Sequence, residues 1–123
     1  KNGHFVDVSN SSMSWCWAAG AMVSTVNDLE KYCQYIGDCE WPSHHILPEF
    51  GINVFYGFHI LKMESFIGHN GGLPGYSSYM LYEKETNTKI IIVVNIQEMD
   101  NGQNPANKIA EYMISLFKNI DFQ

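Results

Sequence analysis

The run Gly68-His69-Asn70-Gly71-Gly72-Leu73-Pro74-Gly75-Tyr76-Ser77-Ser78 concentrates the residues best suited to chemistry. Gly68, Gly71, Gly72 and Gly75 let a ligand approach the backbone closely and leave amide N–H groups to meet an acceptor. His69 adds an imidazole, a ring that can donate, accept or carry a proton. The plainer reading is a glycine-rich hairpin loop carrying an exposed histidine. His44-His45 are adjacent, so their side chains diverge, and no cysteine or carboxylate spacing completes a zinc set; they read as a solvated loop, and no metal and no cofactor is expected. Cys16, between Trp15 and Trp17, has no visible histidine partner and reads as a small buried apolar residue. Cys33 and Cys39 could close a short loop, but free thiols are the preferred reading. His4 and His59 belong to no constellation, and Asn10-Ser11-Ser12 matches a glycosylation acceptor.

These residues need a frame. Lys1 to Trp17 shows no sustained period and reads as a packed loop. Thr25 and Asp28 have capping-box spacing, and Val26, Leu29, Cys33 and Ile36 then lay one apolar stripe along a helix that Gly37 should end. Asp38 to Gly51, with Pro42 and Pro48, reads as an irregular connection. Val54 to Met63 is aromatic and β-branched enough for one strand, and Phe66 to His69 for a second after a tight turn at Lys62 to Ser65. Gly71, Gly72, Pro74 and Gly75 should then break the pattern. Ser77 to Tyr82 and Lys89 to Ile96 flank Glu83 to Thr88 as a hairpin, with Asn87 available for a positive φ. Ile90 to Val94 is apolar throughout and should be covered on both faces. Asn104-Pro105 makes an N-cap and first helical position, after which Ile109, Met113, Leu116 and Ile120 give a core-facing stripe on a closing helix. The expected fold is α+β: an antiparallel sheet of three to four strands flanked by helices, in a single segment over residues 1–123.

Thirteen acidic residues against seven lysines and no arginine give a net charge of -6, which disfavours a phosphate-tracking groove and so a nucleic-acid partner. No apolar run approaches the ~20 residues that span a bilayer. The chain begins on Lys1 and not on Met, which reads as an internal or processed start with more sequence upstream.

The stretch Gly68 to Ser78 resembles the third motif of the serine β-lactamase and D-alanyl-D-alanine carboxypeptidase family, in its class C-like branch that also includes esterases. That motif is a Lys or His, any residue, then Gly, here His69-Asn70-Gly71, with a Gly75-Tyr76-Ser77 continuation. Ser14 to Leu29, through Ala18-Ala19-Gly20-Ala21-Met22-Val23-Ser24-Thr25, is similar to a family segment that precedes a helix. Tyr56-Gly57-Phe58 resembles the opening of the strand before the third motif, and Ile90 to Asn95 followed by a helix is similar to the family's ending. The resemblance covers Trp15 to Phe117 and implies the C-terminal portion of a β-lactamase/transpeptidase-like fold.

Acyl transfer is the chemistry this resemblance implies: a serine activated by Lys and Tyr attacks an amide or ester carbonyl, and water releases the acyl-enzyme. His69 would assist proton transfer and Gly72 would donate its N–H to the oxyanion as catalytic groups. Asn70, Gly71 and Leu73 would bind an extended peptide, acyl or β-lactam substrate along the strand edge, and Trp15 would line the cleft. An exported, cell-wall-directed bacterial protein is implied by the same resemblance. The family's Ser-x-x-Lys and Tyr-x-Asn should lie N-terminal to this segment. The chain holds no Tyr-x-Asn or Ser-x-Asn, and its one Ser-x-x-Lys, Ser115 to Lys118, reads as a solvated helix face. The chain alone is expected to be inert. The alternative is a non-catalytic module that binds peptide or self-associates as a homo-oligomer through an exposed sheet edge.

Overall fold

A computed structural model describes residues 6–39, 54–57, 60–99 and 101–120. The expected connection beyond Cys39, with His44 and His45, lies outside the described residues, as do His4 and His59. Over its described residues, 6–25, the segment before the first helix is not the packed loop expected from sequence. It is largely exposed, with a 3₁₀ stretch Ser14–Ala19 that buries only Cys16, and Trp17 adopts φ 44° at a kink inside it. Cys16, Cys33 and Cys39 are free thiols.

Helix α1 spans Val26–Asp38, and its cap is the one the spacing predicts: Thr25 Oγ1 accepts from the Asp28 N–H at 3.2 Å. Its buried face is Cys33, Ile36 and Gly37, whereas Val26 is 57% exposed, so the expected stripe holds only over its second half. Gly37 does not terminate the helix, which continues to Asp38. It is a point of close approach, because a Cβ there would lie 1.8 Å from Tyr82 Cδ1.

Five strands form one antiparallel sheet in sequence order: β1 Val54–Gly57, β2 Ile60–Met63, β3 Phe66–Leu73, β4 Tyr76–Glu83 and β5 Thr88–Val94. The fold is α+β, with five strands where the sequence suggested three to four. One misreading adds the fifth strand and another leaves β3 too short. Val54 to Met63 is two strands paired with each other, Gly57 opposite Ile60. The strand begun at Phe66 runs through its glycines to Leu73, because Gly71 and Gly72 pair with Ser78 and Ser77.

The turns follow local chemistry. Pro74 and Gly75, the latter at φ 84°, occupy the two central positions between the paired Leu73 and Tyr76, the arrangement a type II turn requires. Asn87 takes φ 54° at the end of the β4–β5 turn, as expected. The Glu83 carboxylate, buried at 3% exposure, closes that turn by accepting from the Thr86 N–H at 2.8 Å, the Thr86 hydroxyl and the Glu85 N–H at 3.2 Å. Burial works against its charge, and these hydrogen bonds outweigh burial and hold the carboxyl below its ordinary range. The stability this carboxylate contributes is therefore present above the ordinary glutamate range and is lost as pH falls through the depressed value.

Consecutive strand residues point to opposite faces, so Tyr82 meets α1 while Leu81 and Tyr79 meet the second helix. Helix α2, Pro105–Phe117, starts as predicted with Asn104 as N-cap and Pro105 in the first turn. Its sheet-facing residues are Ala106, Ala110 and Ile114, packed with Phe66, Tyr79, Leu81 and Ile90, and Phe117 meets Phe66 edge to face at 4.9 Å. The stripe expected to face the core points elsewhere: Ile109, Met113, Leu116 and Ile120 are 42%, 39%, 41% and 54% exposed. Both alanines are fully buried, because small side chains bring the helix axis close to the sheet. β5 is covered on both faces only in part, with Ile90 buried and Val93 54% exposed. Lys89 on β5 pairs with Glu30 on α1 at 3.2 Å. Among the described residues, no helix is long and apolar enough to cross a membrane.

Candidate functional site

Pairing along β3 is asymmetric. β4 accompanies it from Phe66 to Leu73, whereas β2 accompanies it only from Phe66 to Gly68. From His69 to Leu73 no strand among the described residues pairs on the β2 side. Among the described residues that length is an open edge in the middle of the sheet, and it carries five of the six residues singled out from sequence: His69, Asn70, Gly71, Gly72 and Leu73.

His69 is half-buried and makes two contacts. Its Nδ1 meets the Asn70 carbonyl, and its Nε2 lies 3.4 Å from the Tyr56 hydroxyl, with the two rings 5.8 Å apart and tilted by 58°. A carbonyl can only accept, so this contact calls for a proton on Nδ1; in the neutral ring with that tautomer Nε2 is the acceptor, and the Tyr56 hydroxyl is placed to donate to it. Tyr56 reaches His69 from β1, with β2 lying between their strands in the sheet order. The sequence offered Tyr56 as part of a family-like segment and not as a partner of His69.

The glycines of the run serve different ends. Gly68 is demanded by the sheet, since a Cβ there would sit 1.9 Å from the Met80 carbonyl oxygen. At Gly71 a Cβ would meet the Ser78 hydroxyl at 2.6 Å, and Gly75 needs its positive φ. Gly72 is exposed, and among the described residues a Cβ would meet only Asn104 Nδ2 at 3.7 Å, an ordinary contact. The fold does not require glycine at this position.

Two asparagines at the head of α2 also belong to the site and were missed by sequence reasoning, which gave Asn104 only a capping role. Asn107 Oδ1 accepts from Asn70 Nδ2 at 3.2 Å, and Asn104 Nδ2 donates to the Gly71 carbonyl at 3.4 Å. The available signal was a second amide side chain three residues after the N-cap, at the position whose side chain can turn back from the helix.

Trp15 does not join this group. It stands on the 3₁₀ stretch, 63% exposed, and no hydrogen bond or ring contact links it to β3 among the described residues. Ser115 and Lys118 are engaged elsewhere, Ser115 Oγ donating to the Tyr112 carbonyl at 2.7 Å and Lys118 pairing with Glu64 at 2.9 Å. Among the described residues, no three His, Cys, Asp or Glu side chains gather as a metal set would.

Tyr79, the cross-strand partner of Asn70, is buried beneath the site. Burial pushes its hydroxyl up to about 12, with Glu111 adding to the rise, and burial pushes the Cys33 thiol up to about 11 against a smaller opposing effect of Lys89. Both groups are neutral in the fold and ionise more readily in the unfolded chain. Their stabilisation is complete below the ordinary thiol value of 9.0, and it is lost as pH rises through about 11 for Cys33 and about 12 for Tyr79. Thermal melts should hold steady up to the ordinary thiol range and fall steeply above it, and Tyr79→Phe should flatten the upper part of that fall. An unchanged alkaline slope in Tyr79→Phe would assign the loss to other groups.

Compared with known protein families, curated proteins and solved structures, the chain matches none. The chemistry of the site therefore rests on its own geometry.

Proposed function

We propose that the chain forms the sheet wall of a serine acyl-hydrolase cleft of the β-lactamase, D-alanyl-D-alanine carboxypeptidase or esterase type. The observation that supports this most is the open edge of β3 from His69 to Leu73, with a histidine whose basic nitrogen faces a tyrosine hydroxyl. An extended acyl substrate pairs with such an edge as an added strand, and glycines beside it let the scissile carbonyl come close. His69 Nε2 takes part in proton transfer, and the Gly72 N–H donates to the oxyanion, a contribution of about 3 kcal/mol to the barrier when well aimed. The nucleophilic serine, with its lysine and tyrosine, is supplied by sequence other than these 123 residues. It attacks the carbonyl carbon, the amine or alcohol departs with a proton, and water then frees the acid. The protein that carries the chain is exported and acts on cell-wall peptides or related acyl compounds.

Two measurements on the isolated chain test this reading. A chromogenic cephalosporin should not turn over, and acetyl-D-alanyl-D-alanine at millimolar concentration should shift the backbone amides of His69 to Leu73 in a ¹⁵N-correlated spectrum. If those amides stay in place while the fold is intact, the edge is not a substrate site.

A second reading has its own support. The exposed stripe Ile109, Met113, Leu116 and Ile120, with β5 as an apolar sheet edge, favours a binding module that self-associates. Light scattering that finds only monomer at high concentration would count against it.

A further inference from the structure

We propose that Asn104 is a positioning residue that polarises the Gly71–Gly72 peptide and thereby strengthens the Gly72 N–H as a donor. The use made of that donor rests on the proposed function; the contact itself does not. Asn104 uses both ends of its amide. Its Oδ1 accepts from the Asn107 N–H at 3.1 Å, which caps α2, and its Nδ2 donates to the Gly71 carbonyl on the open length of β3 at 3.4 Å. Capping alone would be served as well by Ser, Thr or Asp. An amide carries its acceptor and its donor on separate atoms and so reaches the helix with one and the strand with the other, whereas the shorter serine or threonine side chain has both on a single oxygen.

Gly71 C=O and Gly72 N–H belong to one peptide group. A donor on the oxygen draws electron density toward it, and the N–H of the same group becomes the better donor. Asn107 extends the hold to the preceding residue through Asn70 Nδ2, so the first turn of α2 fixes two consecutive residues of β3. The arrangement uses neutral side chains only, so it adds no charge that would compete with an oxyanion.

Asn104→Ser separates the two roles, because the serine hydroxyl still caps the helix while its shorter side chain withdraws the donor from Gly71. In the ligand-free chain, the Gly72 amide ¹⁵N resonance should move upfield in Asn104→Ser by more than any other amide of β3, with the melting temperature unchanged. Asn104→Ala should move the same resonance and also lower the melting temperature, since the cap is lost as well. Affinity for acetyl-D-alanyl-D-alanine should fall about three- to tenfold in both variants, the loss of one hydrogen bond. A Gly72 resonance that stays in place in Asn104→Ser overturns the proposal, as does a moved resonance with undiminished affinity. If the native chain does not bind the dipeptide while Gly72 still moves, the polarising contact stands and the hydrolase reading fails.

Discussion

Gly68→Ala is expected to destabilise the fold by about 3 kcal/mol or more, whereas Gly72→Ala, four positions along the same strand, should stay within about 0.5 kcal/mol of the native chain. The added methyl at position 68 would lie 1.9 Å from the Met80 carbonyl oxygen, 2.8 Å from its carbon and 3.0 Å from Leu81 Cα. All three atoms are backbone of β4, which is held from its other side by β5. No side-chain rotation relieves such a clash; β3 must move off β4 and give up ladder pairing on both sides of Gly68. For a domain whose total stability is of the order of 5–15 kcal/mol, that is a large fraction. At position 72 the methyl meets one side-chain nitrogen at ordinary distance and the backbone lies outside the glycine region, so reduced freedom of the unfolded chain offsets any small strain. Urea unfolding of the two variants beside the native chain decides the matter. A Gly68→Ala variant with a native midpoint would mean that β3 and β4 lie further apart than described. The same methyl at position 72 should obstruct an incoming acyl group, so Gly72→Ala separates folding from binding.

What could be read in advance was local. The caps at Thr25 and Asn104 and the positive φ of Asn87 each depend on residues within a turn of one another, and each is where the sequence placed it. What failed depended on partners far along the chain. Gly71 and Gly72 look like a break in isolation, yet their register against Ser78 and Ser77 keeps them in a strand. On α2 and the turn that follows it the large residues Ile109, Met113, Leu116 and Ile120 draw the eye as a core stripe, but the helix carries an apolar arc wider than the sheet covers. The side that approaches closest is the one with alanines, so size and not hydrophobicity selected the buried face. The site shows the same division. His69 stood out because of the glycines around it, whereas Tyr56 is thirteen residues away and meets it only through the pairing of β1, β2 and β3. Asn104 and Asn107 were visible as helix-start residues, but nothing in their own spacing tells that the strand beside them would be β3.

On the hydrolase reading, His69→Ala should lower kcat/KM for an ester or a chromogenic cephalosporin by about 10²- to 10³-fold in a full-length protein that joins this chain to the serine-bearing sequence proposed for it, the range expected for a general acid–base group. Stability should change little, because the side chain is half-buried at an open edge and its polar contacts are Tyr56 and its neighbour's carbonyl. Tyr56→Phe should cost less, about tenfold, since the phenol orients the imidazole through one hydrogen bond and the ring that fills the space remains. That ordering is the informative part. If His69 served only to fill the edge, a Gln of similar size would restore activity, whereas a proton-transfer role leaves His69→Gln as impaired as His69→Ala. Circular dichroism and thermal melts of the three variants would show that the fold persists, and activity within twofold of native in His69→Ala would remove His69 from the chemistry. The hydrolase reading would then lose the side chain that joins the open edge to a proton, and only a strand-binding role for residues 70–73 would remain.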